Sequence, residues 1–175
     1  MTNVFNPADG TSPDILGEDL ELRHVRSITM QEMGGSTYIY VGGEVDDGIS
    51  VFELNSDGSL TNTANYTNGG VHNLDDILAL EVGTTLGGTT YLFATGDNID
   101  GLQVYQVGND GSLTFFDFFA DDGTMFMTDA EDITTAIIDG KLHVLSGGDE
   151  SGISVFTVPC FAAGTLFATP QGLRG

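Results

Sequence analysis

Basic residues are what this chain has least of. Only 4 of its 175 residues are Lys or Arg, against 26 Asp and Glu, and the formal net charge is −22. A surface of that sign repels nucleic-acid phosphates and anionic headgroups, so neither is expected as a partner. Cysteine occurs once, at Cys160, which excludes an internal disulfide and leaves a small packed residue or a reactive thiol. No apolar run approaches membrane-spanning length, so membrane insertion is not expected. Residues 1–19 are polar and acidic, without the basic start and apolar middle of a secretory signal. Signal-less export to the extracellular space is the favoured localisation, with the cytoplasm as the alternative. The three histidines, His24, His72 and His143, are far apart and show no His-x-His or His-x-x-x-His spacing, so a zinc site is not indicated.

What is present is a repeat. Gly48-Ile49-Ser50-Val51-Phe52 returns as Gly101-Leu102-Gln103-Val104-Tyr105 and again as Gly152-Ile153-Ser154-Val155-Phe156. The opening glycines are 101 − 48 = 53 and 152 − 101 = 51 residues apart. A near-constant period of this size signals a repeat architecture. Asn55-Ser56-Asp57-Gly58-Ser59-Leu60 follows the first copy and Asn109-Asp110-Gly111-Ser112-Leu113 the second. Asp-Gly suits a tight hairpin because glycine accepts positive φ. Around these turns lie short runs of β-branched and aromatic residues, such as Thr37–Val41 and Thr90–Thr95. Leu20–Met30 and Leu74–Val82 read as further strands, and no segment carries a convincing helical stripe.

Each unit therefore offers about four short antiparallel strands. Tyr38–Val41 and Tyr91–Ala94 are apolar on both faces, which requires cover on both sides. The expected fold is all-β: three repeats of about 51–53 residues, each a four-stranded antiparallel sheet, forming an incomplete or unusual β-propeller, with a β-sandwich as the alternative. The organisation is an irregular arm over 1–19, repeats over 20–158 (units 20–68, 73–122 and 128–158), and a different segment over 159–175. Propellers close with about four to eight blades. Three units need another copy of the chain, the N-terminal arm or further sequence, so self-association through open repeat edges is expected.

Gly48–Thr61 resembles the repeat of the β-propeller lactonase-like proteins, the group that includes bacterial 6-phosphogluconolactonase. The likeness is carried by strands and turns, so it implies a fold and transfers no catalytic residue.

After Val158 the repeat breaks off into Pro159-Cys160-Phe161-Ala162-Ala163-Gly164-Thr165 and, further on, Thr169-Pro170-Gln171-Gly172. This resembles the opening block of bacterial Hint domains, the self-processing modules of inteins and Hedgehog proteins. The resemblance implies that Cys160 is a nucleophile that attacks the carbonyl of Pro159, turning the peptide bond into a thioester by an N–S acyl shift. A thiol suits that step because it is the most nucleophilic side chain near neutral pH. The family also needs a histidine in a later Thr-x-x-His block. With 175 − 160 = 15 residues after the cysteine, this chain is expected not to self-process as it stands.

Paired acids recur ahead of the strands. Asp75-Asp76 and Glu131-Asp132 precede the first strand of their units, with His24 aligned to Asp76 and Asp132. Oxygen donors of this kind suit calcium, while capping of backbone amides is the structural alternative. Asp46-Asp47, Asp97-Asn98-Asp100 and Asp149-Glu150 precede the repeated glycine, where repetition argues for a turn role. The leading function is a passenger or binding region, for a protein or carbohydrate ligand, attached to an incomplete Hint segment. The alternatives are a lactonase-type hydrolase in the propeller channel and a calcium-dependent surface binding protein.

Overall fold

The computed structural model describes residues 20–149 and 151–158. The arm over 1–19 and the segment over 159–175, with Pro159 and Cys160, lie outside the described residues. The regular elements are strands: β1 (Val25–Met33), β2 (Ser36–Gly43), β3 (Gly48–Leu54), β4 (Leu60–Thr67), β5 (Ile77–Thr84), β6 (Thr90–Gly96), β7 (Gly101–Val107), β8 (Leu113–Ala120), β9 (Asp132–Ile138), β10 (Lys141–Gly147) and β11 (Ser154–Val158). They form three antiparallel sheets, ordered β1-β2-β3-β4, β5-β6-β7-β8 and β9-β10-β11. The third sheet has three strands among the described residues, where the other two have four.

The repeated turns set this order. Gly58 and Gly111 adopt φ of 85° and 76°, and each donates its N–H three residues back, to Asn55 and Gly108. Asp57 and Asp110 fix the same turns by accepting from the hydroxyl and backbone N–H of Ser59 and Ser112. These bonds to the ionised form hold both carboxyls below the usual carboxylate range. At Gly111 a methyl group would lie 2.3 Å from the ring of Tyr38, so glycine is required there for space as well as for conformation.

The sheets stack in chain order. β1 packs on β5, and β5 on β9. Tyr40, Ile49 and Val51 of the first sheet meet Leu80, Leu92, Ala94 and Tyr105 of the second in one core. Phe93, Leu102 and Val104, on the opposite face of the second sheet, meet Ile133, Leu142, Val144 and Phe156 of the third in another. The middle sheet is thus buried on both faces, as its continuously apolar strands require. The close approach of the first two sheets leaves no room for a side chain at Gly42, where a methyl would sit 2.7 Å from Ile77.

Three antiparallel sheets stacked in this way make a propeller-like, all-β fold whose ring of sheets is not closed among the described residues. Two details differ from the sequence reading. Leu20 and Leu22 belong not to β1 but to a crossing segment that packs on Val41 and Phe52, on the outer face of the first sheet. The backbone also aligns differently at the start of each unit. His24, Asp76 and Asp129 share a left-handed φ of 54°, 50° and 50°, so Asp129 and not Asp132 is the repeat equivalent of Asp76.

Candidate functional site

The acidic groups gather at one end of the sheets because of strand parity. In a four-stranded antiparallel unit, the loop between its second and third strands and the loop leading to the next unit emerge at the same end. The β2–β3 loop thereby sets Asp47 beside Asp75 and Asp76, ahead of β5. A carboxylate oxygen from each of the three lies within 4.8 Å of the others.

Backbone conformation holds this group in place. Asp47 adopts φ 54°, its carbonyl accepts from Asn68 N–H at 2.8 Å, and its Oδ1 accepts from Asp76 N–H at 2.9 Å. The carbonyl of Asp76 accepts from Asp97 N–H, and its Oδ2 accepts from the Asn98 side-chain amide. Partial desolvation, then the neighbouring charges of Asp47 and Asp76, push the Asp75 carboxyl above its ordinary range. Three convergent carboxylates can hold a hard cation through oxygen alone.

The next junction repeats the motif with different partners. Asp100 takes the left-handed place of Asp47, at φ 44°, and its carbonyl accepts from Asp121 N–H at 2.9 Å. Asp129 is raised by a hydrogen bond to the Asp97 carboxyl, then by desolvation and the charges of Asp97, Asp149 and Asp100. At the start of the first unit the chemistry changes sign. Arg23 donates its N–H to Asp46 Oδ2 at 2.8 Å, and its guanidinium lies 3.7 Å from the same carboxylate.

Of the four residues picked out for a cation, the structure brings Asp75 and Asp76 together and adds Asp47. Glu131 and Asp132 are exposed and do not join them. Asp132 opens β9, where its carboxylate caps the N–H of Ile133 at 2.9 Å, and Glu131 N–H bonds the carbonyl of Gly147. The contribution of Asp47 was visible in principle, since an even number of antiparallel strands per unit puts both acidic loops at one end. Pro159 and Cys160 lie outside the described residues.

The histidines occupy three unlike settings. His72 sits between Tyr66 and Tyr105, stacked on Tyr105 at 5.6 Å and hydrogen-bonded through Nδ1 to its hydroxyl at 3.0 Å. Burial depresses its proton affinity and raises that of Tyr105. His143 meets the carbonyl of Lys141, and His24 is exposed beside the Arg23 loop.

No protein-family model and no curated protein matches the sequence. Solved structures do resemble the fold. A candidate exo-beta-1,3-galactanase of Bifidobacterium bifidum s17 superposes with a TM-score of 0.55 at 14% identity, over 83% of this chain and 51% of that one. An exo-beta-1,3-galactanase of Phanerochaete chrysosporium gives 0.55 at 9% identity, over 86% and 38%. An alpha-L-arabinofuranosidase of Clostridium thermocellum gives 0.55 at 16% identity, over 75% and 46%. The chain spans about half the length of these proteins or less, and at such identities the likeness is one of fold.

Proposed function

We propose that residues 20–158 are a non-enzymatic binding region, the passenger of a Hint-type self-processing segment that starts at Cys160. The observation that carries this reading is the break in the repeat. β3 and β7 each run through a Gly-Ser-Leu turn into a fourth strand, whereas β11 reaches Val158 and the sequence turns to Pro159-Cys160-Phe161-Ala162-Ala163-Gly164-Thr165. In the processing step the Cys160 sulfur bonds to the Pro159 carbonyl carbon, the C–N bond breaks, and the released nitrogen takes up a proton. A protein or carbohydrate ligand would then meet the loop end of the sheets, where Asp47, Asp75, Asp76 and Asp129 are displayed.

The test is to express the chain with its native downstream sequence and follow cleavage by mass spectrometry. Thiol-dependent scission between Pro159 and Cys160, abolished in Cys160→Ala, is expected. Persistence of the intact chain with thiol, or cleavage unchanged in Cys160→Ala, overturns the reading.

A second reading is favoured by the convergence of Asp47, Asp75 and Asp76 within 4.8 Å: a calcium-dependent surface protein. Thermal melting in calcium against sodium at matched ionic strength tests it, and equal melting temperatures count against it. The lactonase-type alternative draws no such support: His72 is engaged by Tyr66 and Tyr105, His143 meets the carbonyl of Lys141, and His24 is exposed.

A further inference from the structure

Repeat equivalence exposes a mismatch between what the three sheets carry and what covers them. Ile49 and Val51 of β3 correspond to Leu102 and Val104 of β7, to Ile153 just ahead of β11 and to Val155 within it, since each pair follows the repeated glycine. The first two pairs are almost wholly buried, each by the sheet that comes next. Ile153 and Val155 are 67% and 52% exposed, on the face of the third sheet that points away from the second. Cross-strand pairing places Leu145 on that same face, beside Val155.

The complementary mismatch lies at the other end of the stack. Val41 and Ala94 are equivalent, two residues ahead of Gly43 and Gly96, and their cross-strand partners are Ile28 and Leu80. Met30 and Val82 correspond in the same way, through Ile39 and Leu92. Leu80 is 4% exposed because the first sheet covers it, whereas Ile28 and Met30 are 63% and 62% exposed. The crossing segment at Leu20 and Leu22 covers Val41 and Phe52 and leaves Ile28 and Met30 open. The chain therefore presents one donor face and one acceptor face of an interface that it already makes twice internally.

Charge points to the occupant. Inside the chain, a junction sets acid against acid: Asp97 bonds Asp129 of the following unit. Gly96 lies against the carbonyl of Asp76 as Gly148 lies against that of Asp129, so at the open faces the equivalent of Asp97 is Asp149, and the equivalent of Asp129 is His24, with Arg23 and Arg26 close by in sequence. Arg23 and Arg26, two of the four Lys and Arg in the chain, pair with Asp46 at 3.7 Å and Glu44 at 3.6 Å of their own unit and stay 61% and 49% exposed, so they still present positive charge to a third-sheet carboxylate of another molecule. That complementarity lies between this chain's own first unit and third unit.

We infer that two copies of this chain associate face to face, the third sheet of each stacking on the first sheet of the other, to close a six-sheet propeller. A two-fold dimer has two such interfaces, both identical, and leaves no repeat face open. Six sheets lie within the roughly four to eight that close a propeller ring. The apolar faces supply the buried area, and the Asp149 to His24 and Arg23 contacts set the register.

The full chain is tested by sedimentation equilibrium in moderate salt. The expected mass is twice that of the chain, and Ile28→Asp and Ile153→Asp should each be monomeric while keeping a cooperative melt, since both positions are exposed in the single chain. Mixing the two variants should restore a dimer of reduced affinity, because one of its two interfaces is then wild type. His24→Asp, which recreates the acid–acid contact, should raise the dissociation constant by roughly tenfold. A monomeric wild type would show that residues 1–19 or 159–175 cover the faces, or that nothing does, and would overturn the inference. So would a mass above two chains, or a dimer that survives both Ile28→Asp and Ile153→Asp.

Discussion

At the scale of single residues, His72 is held by aromatic packing. His72 stacks on Tyr105 and shares a hydrogen bond with its hydroxyl, and burial alone depresses its proton affinity. The linkage has a definite sign. A histidine whose folded pKa lies below its unfolded value of 6.5 is protonated first in the unfolded chain. Its contribution to stability is therefore full above that value and is lost as pH falls through the window below it. His72→Phe keeps the ring stack without the titration. Denaturant unfolding of wild type is expected to show falling stability between pH 7 and the onset of carboxylate protonation, with a flatter profile in His72→Phe. Identical slopes would mean that His72 is as free to protonate when folded as when unfolded.

At the scale of elements, the repeat makes one position readable in three environments. Leu102→Ala in β7 removes a side chain from the core between the second and third sheets and is expected to cost about 2–5 kcal/mol. Ile153→Ala, just ahead of β11, changes the same repeat position on an open face and is expected to cost less than about 0.5 kcal/mol. Both are measured by urea unfolding in an Ile28→Asp background, which keeps the second copy away, and equal costs would mean that the third sheet is covered within the single chain. The strands and turns were legible in the sequence because Gly-Ile-Ser-Val-Phe and Asp-Gly-Ser-Leu record alternation and positive φ directly. The start of each unit was not. The bulges in β1 and β5 lengthen those strands by one residue relative to their partners, and the stretch ahead of β9 is longer again, so aligning Ile133 with Ile77 put Asp132 where Asp129 belongs. The partnership of Asp47 with Asp75 and Asp76 was half legible. Both acidic pairs stood out by repetition, but joining them takes the parity of the strands between, which no single motif carries.

At the scale of the whole molecule, a net charge of −22 works against compaction, and the fold concentrates the effect instead of spreading it. Asp47, Asp75 and Asp76 converge at one junction, and Asp97 and Asp129 at the next. Raised carboxyl affinities at Asp75 and Asp129 mean that the folded chain holds protons there more tightly than the unfolded chain does. Their contribution is complete below the ordinary carboxylate range and is lost as pH rises through the raised values, so at neutral pH both junctions carry repulsion that a bound cation can relieve. Two kinds of relief are separable. Sodium chloride screens exposed charge over a Debye length of about 10 Å at 0.1 M, and should raise the melting temperature smoothly. Calcium at the same ionic strength should raise it further and saturably if the three aspartates coordinate it, by RT ln(1 + [L]/Kd) for one site. Asp75→Asn should raise the melting temperature without calcium, because it removes a charge that desolvation and the neighbouring Asp47 and Asp76 disfavour, and should shrink the extra rise that calcium gives. An extra rise of the same size in Asp75→Asn would place the calcium elsewhere. No extra rise in wild type would leave the cluster as a capping arrangement whose cost is met by the two cores between the sheets.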